Sequence, residues 1–299
     1  MICRFTRLLT SLSLLGLATL GSFSRGQDSR AEAAVPGSSE FACRAVRDVA
    51  YYSGPDAHPQ KHQLDLYVPV GCPDFPVVVF VHGGAWRHGD KRMLFDVHGK
   101  LAQRFARNGV GMAVINYRLS PQVRHPEHAK DVARAVGWVA KHINEFGGQP
   151  RNLFLSGHSA GGHLVALLAT DPRYLAAEGL SLADIRGVVA ISGVYDIPPQ
   201  SSFFPSVFGT DPEIRRSAAP LTHVKPNLPP FLLLYGEHDY LGMDQMARRF
   251  AASLREAGNE VHVEEIKNRD HLGIVGRMLA ADDPALQLIL RFIAGHIQP

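Results

Sequence analysis

An α/β fold with a mostly parallel, doubly wound sheet is predicted for this 299-residue chain by three features. Short apolar runs alternate with amphipathic helical stretches from about residue 76 to the end. The first of these runs, "FPVVVFV", is apolar throughout, as a strand covered on both faces must be. No internal repeat breaks the alternation. Its one long gap, residues 196–230, is rich in proline, serine and phenylalanine and suits a small cap better than a second domain. Apolar residues make up 45% of the chain and charged residues 20%, a balance that supports a full core.

The elements follow in order. "RDVAYYSG" and "HQLDLYVPV" alternate apolar and polar residues and read as an antiparallel pair over 47–54 and 62–70. A buried strand over 76–81 comes next, then a helix, "MLFDVHGKLAQRFARNG", and a strand, "VGMAVINY". "PEHAKDVARAVGWVAKHINEFGG" is an amphipathic helix stopped by glycines. Strand "NLFLSG", helix "SAGGHLVALLAT" and strand "IRGVVAIS" lead into the gap. Beyond it lie strand "FLLLYG", helix "DQMARRFAASLREAG", strand "EVHVEEI" and a final helix, "PALQLILRFIAGHI". The domain so assembled covers 41–299.

The first residues are of another kind. Arg4 and Arg7 precede an apolar run over 8–23, followed by a polar stretch. This is the three-part pattern of an export signal over 1–24, with cleavage after Ser24 or near residues 31–34. The run is short and serine-diluted for a membrane span. The expected location is therefore secreted or periplasmic, with no membrane association after cleavage. The formal charge of +3 contains both leader arginines, and +1 remains without them. No basic face then argues for nucleic acid. Export would place Cys43 and Cys72 in an oxidising compartment, where a bridge between them and two separate buried thiols are both open readings.

Ser159 sits in "GHSAGGH", where an apolar strand ends and a helix begins, the context of a Gly-x-Ser-x-Gly nucleophile elbow. Gly157 and Gly161 permit the sharp turn, and the Ala160 amide points toward a developing oxyanion. No lysine follows the glycines, which disfavours a phosphate loop. A serine nucleophile needs a base, and the base an orienting acid. Asp239 follows one later strand and His271 the next, the order acid then histidine that this architecture requires. Both fall at the sheet edge where such folds place their sites. Glu237 is too near its strand end to be preferred over Asp239, and Asp270 adjoins His271 too closely to turn back on its ring. His262 reads as structural, and His158 and His163 as supporting or packing residues, with His158 pointing away along the elbow. "HPEH" over 125–128 lacks a zinc-helix spacing, so no metal is expected. After the first buried strand, "HGGAWRHGDK" offers the Gly83 and Gly84 amides as further oxyanion donors, with His82 orienting the loop.

"HGGAWRHGDK", "INYRLSPQ", "FGGQPRNLFLSGHSAGGHL" and "LLLYGEHD" together resemble α/β-hydrolase esterases of the hormone-sensitive-lipase-like group. The likeness extends to secreted feruloyl and acetyl-xylan esterases, kynurenine formamidases and plant isoprenylcysteine methylesterases. It runs from about Val49 to the C-terminus. It implies a triad on Ser159, Asp239 and His271, with oxyanion donors at Gly83, Gly84 and Ala160. It also implies an α/β-hydrolase fold, no cofactor, and hydrolysis through an acyl-enzyme. The expected partner is a small-molecule or carbohydrate-linked ester, with a short-chain, acetyl or feruloyl acyl group. Ala85 stands where the family often has a third glycine, a departure that leaves the donors intact. Trp86, Tyr195, Phe203, Phe204 and Phe208 are candidates to line the substrate pocket, with lid or core packing as the alternative. Two other functions stand beside the esterase: hydrolysis of an aryl formamide, which export argues against, and a non-catalytic binding role, which an intact triad argues against.

Overall fold

A computed structural model describes residues 40–198, 200 and 204–298. The expected leader, residues 1–24, and Phe203 lie outside the described residues. In chain order the strands are β1 (Ala42–Ala50), β2 (Gln63–Val70), β3 (Phe75–Val81), β4 (Gly111–Ile115), β5 (Gly148–His158), β6 (Ile185–Ile191), β7 (Phe231–His238) and β8 (Val261–Asp270). Helix α1 (Met93–Arg107) joins β3 to β4, and α2 (Glu127–His142) joins β4 to β5. Helices α3 (Ala160–Thr170) and α4 (Pro172–Ala176) follow β5, and α5 (Pro205–Phe208) and α6 (Pro212–Ala218) lie between β6 and β7. Helix α7 (Met243–Glu256) precedes β8, which is followed by α8 (Gly273–Gly276) and α9 (Pro284–His296).

The strands form one sheet in the order β1-β2-β4-β3-β5-β6-β7-β8. β1 and β2 are antiparallel to each other, and β2 to β4; every pairing from β4 to β8 is parallel. β3 is buried at every position, as its unbroken apolar run requires. One apolar cluster packs α2, α3 and α7 on one face, with Val132, Leu164 and Phe250 among its members. The other packs α1, α8 and α9 on the opposite face through Leu101, Ile274 and Ile289. This two-sided cover makes the sheet doubly wound, as the alternation of elements predicts.

β1 begins five residues before the position read from sequence. It is an edge strand with Arg44 and Arg47 exposed, so it carries little of the alternation that marks a half-buried strand. The two readings left open for the cysteines are also resolved in part. Cys43 is a free thiol packed on the α1 and α9 face, whereas Cys72 belongs to the cluster on the other face. Cys43 being free, no bridge joins these two residues.

Between β6 and β7 the chain leaves the sheet and packs on α3. The Leu221 amide donates to the Tyr195 carbonyl at 2.9 Å, and the His125 amide, ahead of α2, donates to Val207 at 2.9 Å. Among the described residues no helix is long and apolar enough to cross a membrane.

Candidate active site

Ser159 lies between the last residue of β5 and the first of α3, with φ 54° and ψ −117°. A non-glycine residue held there costs of order 1–3 kcal/mol and persists only where its surroundings fix it. The Ser159 amide donates to the Ile191 carbonyl of β6 at 2.8 Å, and its carbonyl accepts from the His163 amide at 3.0 Å. The flanking glycines are required sterically. A Cβ on Gly157 would strike the backbone of Gly161, and one on Gly161 would strike the Val81 carbonyl at the end of β3. Gly161→Ala is thus expected to destabilise the fold by about 1–3 kcal/mol, a fall of roughly 5 °C in Tm. An unchanged melting curve by circular dichroism would refute this account of the elbow.

His271 follows β8 directly, and its Nδ1–H donates to Asp239 Oδ1 at 2.6 Å. Asp239 also accepts from the Tyr240 amide at 2.8 Å, the Gly236 amide at 3.2 Å and the Ser192 hydroxyl at 2.5 Å. Burial alone would raise its pKa, but the hydrogen bonds from His271 and Ser192 outweigh this and hold it at about 2. The carboxylate is therefore ionised at neutral pH and fixes the imidazole with Nε2 left free. The rejected acids are engaged elsewhere. Glu237 accepts from Lys267 at 3.1 Å and from the Asn268 amide at 2.9 Å, and Asp270 accepts from the Gly273 amide at 2.6 Å. His262 is exposed on β8.

His158 differs from the sequence reading. It does not point away: its Nε2–H donates to the His271 carbonyl at 2.7 Å, and the two rings lie 4.7 Å apart. Burial, with a smaller contribution from the neighbouring His271 ring, lowers its pKa to about 3, so it is a neutral strut. On the other side the Tyr240 ring stacks on His271 at 4.1 Å and 22°. Sequence reasoning missed Ser192 and Tyr240. Each carries a weak signal, since Ser192 follows the end of β6 and Tyr240 follows the candidate acid at the same sheet edge.

The loop after β3 is pinned from several directions. His82 Nδ1–H donates to the Gly83 carbonyl at 2.7 Å, and the Tyr117 hydroxyl donates to the His82 carbonyl at 3.2 Å. The Gly84 carbonyl accepts from the amides of Arg87 at 3.1 Å and His88 at 2.9 Å. Gly83 approaches the elbow so closely that an added Cβ would lie 3.1 Å from Ser159 Cβ. Gly84 has φ +115°, and Ala85 and Trp86 follow with φ 53° and 58°. Ala85 thus takes a left-handed conformation that a third glycine would adopt without strain. The Ala160 amide opens α3, where no intrahelical acceptor exists for it.

Gly83, Gly84, Ser159 and His271 line one cavity of about 720 Å³. Its further wall runs along α1 and α8, through Met93, Val97, His98 and Val275, and ends at Arg277 just past α8. Of the two readings open for the aromatic candidates the packing one holds for Trp86, Tyr195 and Phe208, and none of the four described lines this cavity. Trp86 is 1% exposed, packs against Phe204 and Phe208 at 5.0 Å each, and donates from Nε1 to His163 Nδ1 at 3.2 Å. With Nδ1 accepting, His163 Nε2–H donates to the Ala218 carbonyl of α6 at 2.7 Å. Tyr195 is buried and stacks on Phe250 at 4.5 Å. Phe204 is half-buried and Phe208 buried against the α3 side. Large apolar side chains in a short insertion are drawn into the nearest core because burying each is worth about 1.5–3 kcal/mol.

A family model, BD-FAE, matches residues 64–254. The probable carboxylic ester hydrolase LipM of Mycobacterium tuberculosis is 36% identical over 206 residues, 62% of this chain and 46% of LipM. The chain spans about half the length of the curated mycobacterial relatives it matches. A kynurenine formamidase of Danio rerio is 26% identical over 248 residues, 80% of each chain. Among solved structures, a truncated form of a carbohydrate esterase from gut microbiota superposes with a TM-score of 0.71 at 17% identity, covering 87% of this chain and 98% of that one. At that identity the likeness is one of fold.

Proposed function

The chain belongs to the BD-FAE family of α/β-hydrolases, and from that premise we propose that it is a serine-dependent carboxylic ester hydrolase. The observation that carries this reading is the strained Ser159 elbow sharing one cavity with a His271 whose Nδ1 is bound to an ionised Asp239. His271 Nε2 takes the Ser159 proton as the hydroxyl attacks an ester carbonyl. The Gly83, Gly84 and Ala160 amides receive the oxyanion, and Asp239 stabilises the imidazolium. His271 then protonates the leaving alcohol, and water, activated by the same imidazole, releases the acyl group. Labelling of Ser159 by a fluorophosphonate, together with p-nitrophenyl acetate turnover, tests the proposal. A chain that neither labels nor turns over acetate is a binding protein and not an esterase.

The acyl group we propose is short. Trp86, Tyr195 and Phe208 fill the α3 side of the elbow, and the cavity opens instead along α1 and α8. Across p-nitrophenyl esters, kcat/KM is expected to fall at least about tenfold between acetyl and octanoyl, a loss of roughly 1.4 kcal/mol of transition-state binding. An octanoyl ester turned over as well as acetate would overturn this. Acetylated polysaccharide is the natural ester that fits such an acyl site, and acetylated xylan against methyl ferulate is the comparison to make. A secreted or periplasmic location is proposed on the leader-like composition of residues 1–24. Aryl formamide hydrolysis is the second reading, supported by the formamidase match over 80% of both chains. Measuring N-formyl-arylamine against aryl acetate separates the two.

A further inference from the structure

Two of the six large hydrophobic side chains exposed among the described residues stand at the active-site cleft, Tyr240 at 63% and Leu272 at 57%, and Leu241 at 103% follows Tyr240 in the chain. Tyr240 and Leu272 line the cavity that holds Ser159, and they come from two different loops, β7 to α7 and β8 to α8. Apolar groups scattered singly over a surface need no explanation, but a cluster at a cleft mouth marks a contact site.

The Tyr240 ring is held and open at once. Its backbone amide donates to Asp239 Oδ1 at 2.8 Å, the oxygen that also binds His271, and its carbonyl accepts from the Met243 amide at 3.1 Å. One face of the ring is stacked on the His271 imidazole, and with 63% of the residue exposed the other face remains accessible. Hydrolysis fixes what approaches that side. The Nε2 proton of His271 passes to the oxygen of the breaking C–O bond, so the departing alcohol must lie beside the imidazole and not beside the oxyanion donors. A flat group on that alcohol meets an aromatic plate already aligned with the base.

We propose that Tyr240 determines leaving-group specificity, the rim of its ring that lines the cavity receiving the cyclic part of the alcohol while His271 protonates its oxygen. The inference rests on the esterase reading and adds to it the half of the substrate that the filled α3 side leaves undefined. The alcohols favoured carry a flat ring one bond from the oxygen, as benzyl does, over flexible or minimal alkyl groups. Aromatic contacts of this kind correspond to about a 2- to 12-fold effect on a rate or binding constant.

The test uses benzyl acetate and methyl acetate, each compared with itself across enzymes so that intrinsic reactivity cancels. Tyr240→Ala is expected to lower kcat/KM for benzyl acetate about fivefold more than for methyl acetate. Tyr240→Phe should restore the wild-type ratio, because the ring and not the hydroxyl makes the contact. Equal losses on the two esters would mean that the ring acts on the imidazole alone and would overturn the inference. An unchanged ratio in Tyr240→Ala with full activity on both would overturn it as well. If the unaltered protein turns over neither acetate, the esterase reading itself fails, an outcome distinct from loss of discrimination in an active enzyme.

Discussion

Ser159→Ala is expected to lower p-nitrophenyl acetate turnover by at least about 10⁴-fold and to abolish fluorophosphonate labelling, with no loss of folded protein. The asymmetry between function and stability follows from the elbow geometry. Alanine keeps the Cβ, so the left-handed backbone at position 159 is neither relieved nor worsened. The bonds that seat the residue, to Ile191 and from His163, are made by its backbone and survive the change. The side-chain hydroxyl makes no hydrogen bond among the described residues, so removing it leaves no buried partner unsatisfied. Residual turnover should approach that of the oxyanion donors alone. Undiminished activity in the variant would remove the proposed mechanism, whatever its melting temperature.

The three residues of that mechanism are legible in the chain because each follows an apolar strand and the elbow motif fixes their order. Their supports are not, because those depend on which strands become neighbours. Ser192 reaches Asp239 only because β6 pairs with β7 in a register that bonds the Ser192 amide to Leu234 at 2.7 Å. The same holds for His158, which supports His271 across 113 positions. The aromatic residues of the gap were misleading for a different reason. A lid that lines a pocket and an insertion that joins the core have the same composition, and only the packing of Trp86 against His163, Phe204 and Phe208 separates them. The sheet order at β4 and β3, where the antiparallel pair attaches, likewise carries no local signal.

Acid should unfold the protein cooperatively near pH 5, through its buried histidines. His82, His98, His128, His158 and His163 are all buried, and burial lowers their pKa values to about 3 or 4. In the unfolded chain a histidine titrates near 6.5. The unfolded state binds protons that the native state refuses, so stability is nearly complete at pH 7.5, has begun to fall at pH 6.5 and declines steadily toward pH 3. Together the five imidazoles withdraw about 7 kcal/mol at pH 5.5 and about 10 kcal/mol at pH 5. A domain stabilised by about 5–15 kcal/mol cannot absorb that loss for long. Asp239, held at about 2, loses its own contribution only as pH falls from about 4 to 2, so it is not the cause of failure at pH 5. Three of the five histidines surround the site: His82 holds the oxyanion loop, His98 lines the cavity and His158 carries the backbone of His271. Each works as a neutral imidazole, and protonation would turn a hydrogen-bonded or packed ring into a buried cation. A chain still folded at pH 4, by far-ultraviolet circular dichroism and tryptophan fluorescence, would show that these rings are not held neutral.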